Sequence, residues 1–127
     1  MNPDDITFAK VMSAYELTGA RPTAVVWSSN HRACPLGVLT LAASEEYKER
    51  FMILGVEDVA TTLNISEAEA WSFSAGFYPG LRNHYPALDT QRCDDDPWYQ
   101  CGLNIRRLMV ATGITTEAAL DDRNWLG

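Results

Sequence analysis

The stretch VEDVATTLNISEAEAWSFSAGF, residues 56–77, decides the predicted fold because it carries the signals of two consecutive helices. A first helix over 56–63 should stop at Asn64, since asparagine is one of the few non-glycine residues that tolerate a left-handed conformation. Ser66 and Glu69 then have the three-residue spacing of a capping box, which begins a second helix. The stretch therefore predicts two short helices joined by a tight turn.

Further short helices are predicted on both sides of this pair, from apolar residues at helical spacing and from Pro and Gly at helix ends. The other predicted elements are helices at about 3–18, from Pro35, at 45–54, from Pro97 to Gly113 and from Thr115 or Thr116, and one β-like run at 22–29. We therefore predict a mainly α fold class. It comprises a single compact domain over 1–127 with five to seven short helices, at most one or two short extended segments, and a long loop at about 79–97.

The chain of 127 residues carries ten Lys or Arg against seventeen Asp or Glu, a net charge of −7. Seven of the acids and two of the bases lie within 44–70, which gives this acidic band a local charge of −5. Such a band repels nucleic-acid phosphates and attracts basic partners. Residues 17–43 are instead net positive, through Arg21 and Arg32.

Composition narrows the class of protein further. An apolar fraction of 46% is too high for a disordered chain, and no apolar run approaches the ~20 residues of a membrane span. Residues 1–5 are acidic where a targeting signal would be basic, and a chain with three cysteines and no such signal suits a reducing compartment. We therefore expect a cytoplasmic protein that makes no membrane contact.

Residues 56–73 resemble a helix-turn-helix pattern, with the small Ala60 at the helix crossing and Asn64 in the turn. The second helix carries Glu67 and Glu69 and no base, whereas recognition helices contact DNA through Arg and Lys. We therefore expect that this face does not bind nucleic acid. A DNA-binding regulator is the alternative function, with basic contacts supplied from outside the motif by Arg82, Arg106 and Arg107.

Cys34 is the residue on which a second alternative, an enzyme, depends. It precedes a predicted helix, whose dipole, together with the nearby Arg32, would lower the pKa of the thiol. His31 could then act as a base. The other interpretation is that Cys34 is a small buried residue at the start of the helix, packed under neighbours such as Trp27.

A metal site would have to combine ligands that are far apart in the sequence, namely His31, Cys34, His84, Cys93 and Cys101. The chain has no C-x-x-C or H-x-x-x-H element, and the run of aspartates at 94–96 lacks the alternate spacing and the glycine of a calcium loop. We therefore expect no metal site and no cofactor.

One pair of motifs resembles small uncharacterised proteins of bacteria and their phages, which carry a C-x-L-G-x-L helix start and a G-F-x-G-type ending. The motifs are Cys34-Pro35-Leu36-Gly37-Val38-Leu39 and Gly76-Phe77-Tyr78-Pro79-Gly80. The likeness spans about 30–80. It implies a bacterial or phage origin and supplies no mechanism.

The leading hypothesis is therefore a helical protein that acts by protein–protein contact, with a partner or with a second copy of itself. The acidic band and the loop at 79–97 are the expected contact surfaces, because charged side chains and tyrosines can anchor interfaces. The candidate binding residues are Glu57, Asp58, Glu67, Glu69, Tyr78, Tyr85, Asp94 and Asp95.

Overall fold

The structure is a computed structural model that describes residues 1–84 and 95–126, and most of these residues are helical. The helices are α1 (Phe8–Thr18), α2 (Pro35–Ala42), α3 (Glu45–Arg50), α4 (Val56–Leu63), α5 (Glu67–Phe77), the single turn α6 (Leu81–His84), α7 (Pro97–Ala111) and α8 (Glu117–Asp121), with 3-10 turns at Pro3–Asp5 and Asn124–Leu126. Seven helices in the described residues have five or more residues. The predicted mainly α fold class is confirmed.

The pair α4 and α5 forms as its sequence predicts. Asn64 ends α4 with a left-handed φ of 56°. The Ser66 hydroxyl accepts from the Glu69 N–H at 3.0 Å, and the Ser66 N–H donates to the Glu69 carboxylate at 2.9 Å. Both predicted local signals are therefore present at the turn.

Two predicted helix boundaries are wrong. The helix predicted at 3–18 is interrupted because Thr7 caps a new start, accepting from the Lys10 N–H at 3.2 Å. The helix predicted at 45–54 ends at Arg50, because Phe51 adopts a left-handed φ of 46°. The chain after Phe51 is extended instead, and Leu54 forms an antiparallel bridge with Ser28.

The β-like run predicted at 22–29 is not one strand. Three two-residue strands form a small sheet in the order β1 (Arg21–Pro22), β3 (Arg32–Ala33), β2 (Ser28–Ser29), with β1 parallel and β2 antiparallel to β3. Asn30 and His31, both with positive φ, turn the chain between β2 and β3. The sheet thus has three short strands where one or two extended segments were expected.

The helices α5 and α7 pack backbone against backbone at two glycines. A Cβ on Gly76 would lie 2.0 Å from the Tyr99 carbonyl oxygen, and one on Gly102 would lie 2.1 Å from the Phe73 carbonyl oxygen. Buried side chains from all the helices except α3 then fill one core around this contact, among them Val11, Leu36, Leu41, Val59, Phe73, Phe77, Met109 and Leu120, each fully buried.

The segment predicted as a long loop at 79–97 contains the helical turn α6. Residues 85–94 lie outside the described residues, as do the side chains of Arg82 and His84. None of the helices in the described part of the chain has the length and apolar character needed to cross a bilayer.

Candidate functional site

An apolar cleft lies between the extended segment 24–29 and the helix α5, and we call it the tryptophan cleft. Its volume is about 290 Å³. The cleft is lined by Ala24, Val25, Val26, Trp27, Ser28, Ser29, Ile53, Leu54, Trp71, Ser74 and Leu81. This volume is at the lower end of the range for small-ligand pockets, and it suits one or two side chains of a partner.

Two indole rings form the aromatic wall of the cleft. Trp27 and Trp71 meet edge to face, with ring centroids 5.1 Å apart and an interplanar angle of 63°. Both side chains are half-buried. Aromatic pairs favour an edge-to-face geometry, so each ring stabilises the position of the other.

The backbone of Trp27 is held by the start of α2. The Cys34 N–H donates to the Trp27 carbonyl oxygen at 3.3 Å. Gly37 lies so close that a Cβ there would be 1.7 Å from the same oxygen. Any side chain at position 37 would therefore displace the wall of the tryptophan cleft.

Ser28 joins the cleft to the segment 52–54. Its hydroxyl donates to the Met52 carbonyl and accepts from the Leu54 N–H at 3.2 Å. Between these two residues, Ile53 is 75% exposed at the rim of the cleft. A large aliphatic side chain held in water beside an apolar cleft is typical of a contact surface.

Most side chains that line the cleft are apolar. Its lining side chains, as far as the described residues extend, include no acid, base or thiol. It offers apolar surface together with the hydroxyl groups of Ser29 and Ser74.

Acidic side chains flank the exposed Ile53 along the chain. Glu49 in α3 and Glu57 in α4 are each four residues from it, at most about 15 Å away. Both are exposed, and neither is in an ion pair among the described residues, whereas Glu45 and Glu46 pair within α3. The segment that presents Ile53 is therefore flanked along the chain by two exposed acids that form no ion pair within the described residues.

The four predicted binding acids of the band divide into two pairs. Glu57 and Glu67 are exposed. Asp58 instead caps α4 by accepting from the Gly55 N–H at 2.9 Å. Only the exposed pair is free to contact a partner.

Glu69 is occupied within the fold. Besides its capping-box bond, its carboxylate accepts from Trp98 Nε1 at 2.8 Å, which joins α5 to α7. The hydrogen bond from the Ser66 backbone, with the one from Trp98, holds the pKa of Glu69 below its ordinary value. Glu69 thus has a structural role, and its predicted role in binding stays a prediction.

The remaining predicted binding residues lie apart. Tyr78 is only 2% exposed and belongs to the core, so it is not the surface anchor that was expected. Asp95 is exposed. Tyr85 and Asp94 lie outside the described residues.

The thiol of Cys34 is buried, 4% exposed, and accepts from the Gly37 N–H at 3.4 Å as the cap of α2. Burial raises the pKa of Cys34 to about 12. The expected lowering of this pKa is wrong, because loss of water outweighs the helix N-terminus. His31 is exposed, with its ring against Phe51. The structure thus has the buried cysteine of the other interpretation.

Potential metal ligands do not cluster within the described residues. The described residues include no group of three or more His, Cys, Asp or Glu side chains placed to hold an ion. Cys101 is half-buried on α7, and its thiol contacts the carbonyl oxygens of Pro3 and Ile6. Cys93 and the side chain of His84 lie outside the described part.

The helix α5 is covered where a recognition helix would be open. Its residues 73–77 are all buried, largely against α7. Its exposed residues lie in the first turn, with Glu67, and Trp71 and Ser72 are half-buried. The pair α4 and α5 therefore has the local geometry of a helical hairpin, with an acidic end and no free basic face.

The tryptophan cleft was missed by the sequence interpretation. Residues 51–54 were assigned to a helix, which would have placed Ile53 among core candidates. A signal against that helix was present in the sequence. Residues 51–54, Phe-Met-Ile-Leu, are all apolar, so they lack the polar face of an amphipathic helix.

Comparisons with known proteins gave no relative. No protein-family profile matches the chain, and no curated protein and no solved structure is significantly similar to it.

Proposed function

We propose that this protein acts by protein–protein contact and that the tryptophan cleft is its binding site. The occupant is a segment of a partner protein that carries one aliphatic or aromatic anchor side chain beside Lys or Arg residues. The observation that carries this proposal is Ile53, which is 75% exposed in the lining of an apolar cleft, on a segment that acidic residues flank along the chain.

The chemistry of the site supports this class of occupant. An apolar anchor would remove Ile53 and the two indole edges from water, and such central aromatic contacts dominate interface energies. Basic residues next to the anchor would meet Glu49 and Glu57, which would steer association and make it dependent on salt. An acidic partner would be repelled by the same side chains.

Selection of peptides tests the proposal. A library of random twelve-residue peptides displayed on phage would be panned against the immobilised full-length chain. We expect enriched sequences that share one large apolar residue flanked by Lys or Arg. Absence of enrichment, or enrichment of acidic peptides, would contradict the proposal.

Matched variants locate the binding site. Ile53→Ser should lose the selected peptides, whereas Leu17→Ser, which truncates a 57% exposed leucine on α1, should retain them. Replacing Glu49 and Glu57 by Gln should weaken binding at low salt, while Glu16→Gln on α1 should not. Light scattering of the free chain would show whether a second copy occupies the cleft. A dimer that Ile53→Ser dissociates would mean that the occupant is a second copy of the chain and not a segment of a partner protein.

A further inference from the structure

A second cavity, of about 450 Å³, lies at the turn between β2 and β3, in the positively charged part of this acidic chain. It is lined by Gly19, Arg21, Asn30, His31, Arg32 and Trp125. Two arginines and a histidine thus line one cavity, whose basic lining differs from the apolar lining of the tryptophan cleft.

The two arginines are placed side by side by the sheet. Arg21 and Arg32 are direct partners in the parallel pairing of β1 with β3, so their side chains leave the same face, with the strands about 4.8 Å apart. Like charges directly across strands destabilise a sheet. Within the described residues, neither arginine forms an ion pair with a carboxylate. The pair therefore lacks a counter-charge in this part of the chain.

The side chains of Arg32 and His31 are held in place before any ligand binds. The guanidinium carbon of Arg32 lies 4.5 Å from the ring centroid of Trp125. The indole is itself fixed, because Trp125 Nε1 donates to the Asp122 carbonyl at 2.8 Å. The His31 ring rests on Phe51, with centroids 4.7 Å apart. Preordered side chains lose less conformational entropy when they bind a ligand.

We propose that this cavity binds a small molecule that carries a phosphate monoester, held between the guanidinium groups of Arg21 and Arg32 with His31 at its edge. A phosphate monoester carries about −1.5 to −2 charges near neutral pH, which matches two arginines. The planar forks of arginine bind phosphate oxygens in pairs. A carboxylate would leave one arginine uncompensated. The volume lies within the range of small-molecule sites.

Calorimetric titration of the full-length chain with phenyl phosphate, at low ionic strength, tests the proposal. We expect saturable one-to-one binding, and weaker binding of benzoate, which has the same ring and a single charge. Arg21→Gln and Arg32→Gln should each weaken phenyl phosphate binding by about tenfold or more. Arg32→Lys should also weaken it, since lysine keeps the charge but loses the planar fork and its stacking on Trp125.

Two controls separate this site from general attraction to positive charge. Arg107→Gln removes an exposed charge from α7 and should leave the affinity unchanged. Inorganic phosphate should bind at the same two arginines, more weakly than phenyl phosphate if the rest of the cavity contributes. Equal weakening by Arg107→Gln, equal affinity for benzoate, or no saturation up to about 10 mM phenyl phosphate would overturn the proposal. Unchanged unfolding midpoints of the arginine variants without ligand would establish that the fold is intact.

Discussion

Trp27 and Trp71 meet edge to face in the wall of the tryptophan cleft, with their ring centroids 5.1 Å apart. One ring comes from an extended segment and the other from α5, so their contact depends on how these two elements are held together. The carbonyl of Trp27 is fixed by α2, and the hydroxyl of Ser28 fixes the segment that presents Ile53. The geometry of the tryptophan cleft therefore depends on the tertiary contacts that α2, α5 and the segment 52–54 make with Trp27 and Ser28.

Gly37→Ala should destabilise the protein by about 2 kcal/mol or more. The added Cβ would overlap the Trp27 carbonyl oxygen at 1.7 Å, and this backbone clash outweighs the gain of about 1 kcal/mol in helix propensity. Urea unfolding measures the loss, and near-ultraviolet circular dichroism should report altered tryptophan packing. Gly55→Ala is the matched control, because its Cβ would meet no backbone but only side-chain carboxylates, that of Glu57 at 2.8 Å and that of Asp58 at 3.9 Å. A cost for Gly37→Ala no larger than that of the control would refute the close approach.

Asp121→Ala should cost about 2 kcal/mol of unfolding free energy. Arg106 is 4% exposed, and Asp121 accepts two hydrogen bonds from its guanidinium at 2.9 Å each, which joins α7 to α8. Removal of Asp121 leaves a buried cation without its main partner. Glu117→Ala should cost less than about 1 kcal/mol, since that carboxylate is 70% exposed and 3.4 Å away. Equal losses in the two variants would be inconsistent with this assignment.

The free energy of unfolding should fall in acid, because Glu69 becomes protonated there. Its pKa is lower in the folded chain, so its contribution is present above the unfolded value, about 4.3, and is lost as the pH falls through the folded pKa. Glu69→Gln should be less stable than the wild type at neutral pH, and the difference should shrink toward about pH 3. Urea midpoints across this range measure it. Glu67→Gln removes the same charge from an exposed site, so its stability should differ little from that of the wild type. A stability difference between Glu69→Gln and the wild type that stays constant with pH would contradict the role given to the Glu69 carboxylate.

Cys34 should resist alkylation in the native protein. Its thiol is buried, and burial raises its pKa to about 12, so the thiolate population near neutral pH falls about a thousandfold relative to a free cysteine. Mass spectrometry after timed exposure to iodoacetamide should find Cys34 unmodified in the native chain and modified in urea. Rapid native labelling would restore the hypothesis of a reactive thiol.

The parts of the fold that follow local rules could be predicted from sequence. Asn64 ends α4 and Ser66 with Glu69 begins α5 through contacts within four residues, which the sequence pattern shows directly. Asp96 likewise caps α7 by accepting from the Trp98 N–H at 3.0 Å. In each case the side chain satisfies a backbone group next to it.

The parts that failed depend on residues distant in sequence. The run at 22–29 is divided because the Ala24 N–H donates to the Leu120 carbonyl at 2.9 Å, a partner almost a hundred residues away. The acidity of Cys34 was misjudged because burial, which is tertiary, exceeded the local effect of the helix. Ile53 was missed because the end of α3 depends on a left-handed Phe51, a conformation that its residue type does not favour.

The most direct test of the central claim is the affinity of one selected peptide for the wild type, Ile53→Ser and Leu17→Ser, measured by fluorescence anisotropy. Loss of the anchor contact at a hot spot should weaken binding to Ile53→Ser by about tenfold or more, while Leu17→Ser binds as the wild type does. Equal affinities of the wild type and Ile53→Ser would contradict the assignment of the tryptophan cleft as the binding site.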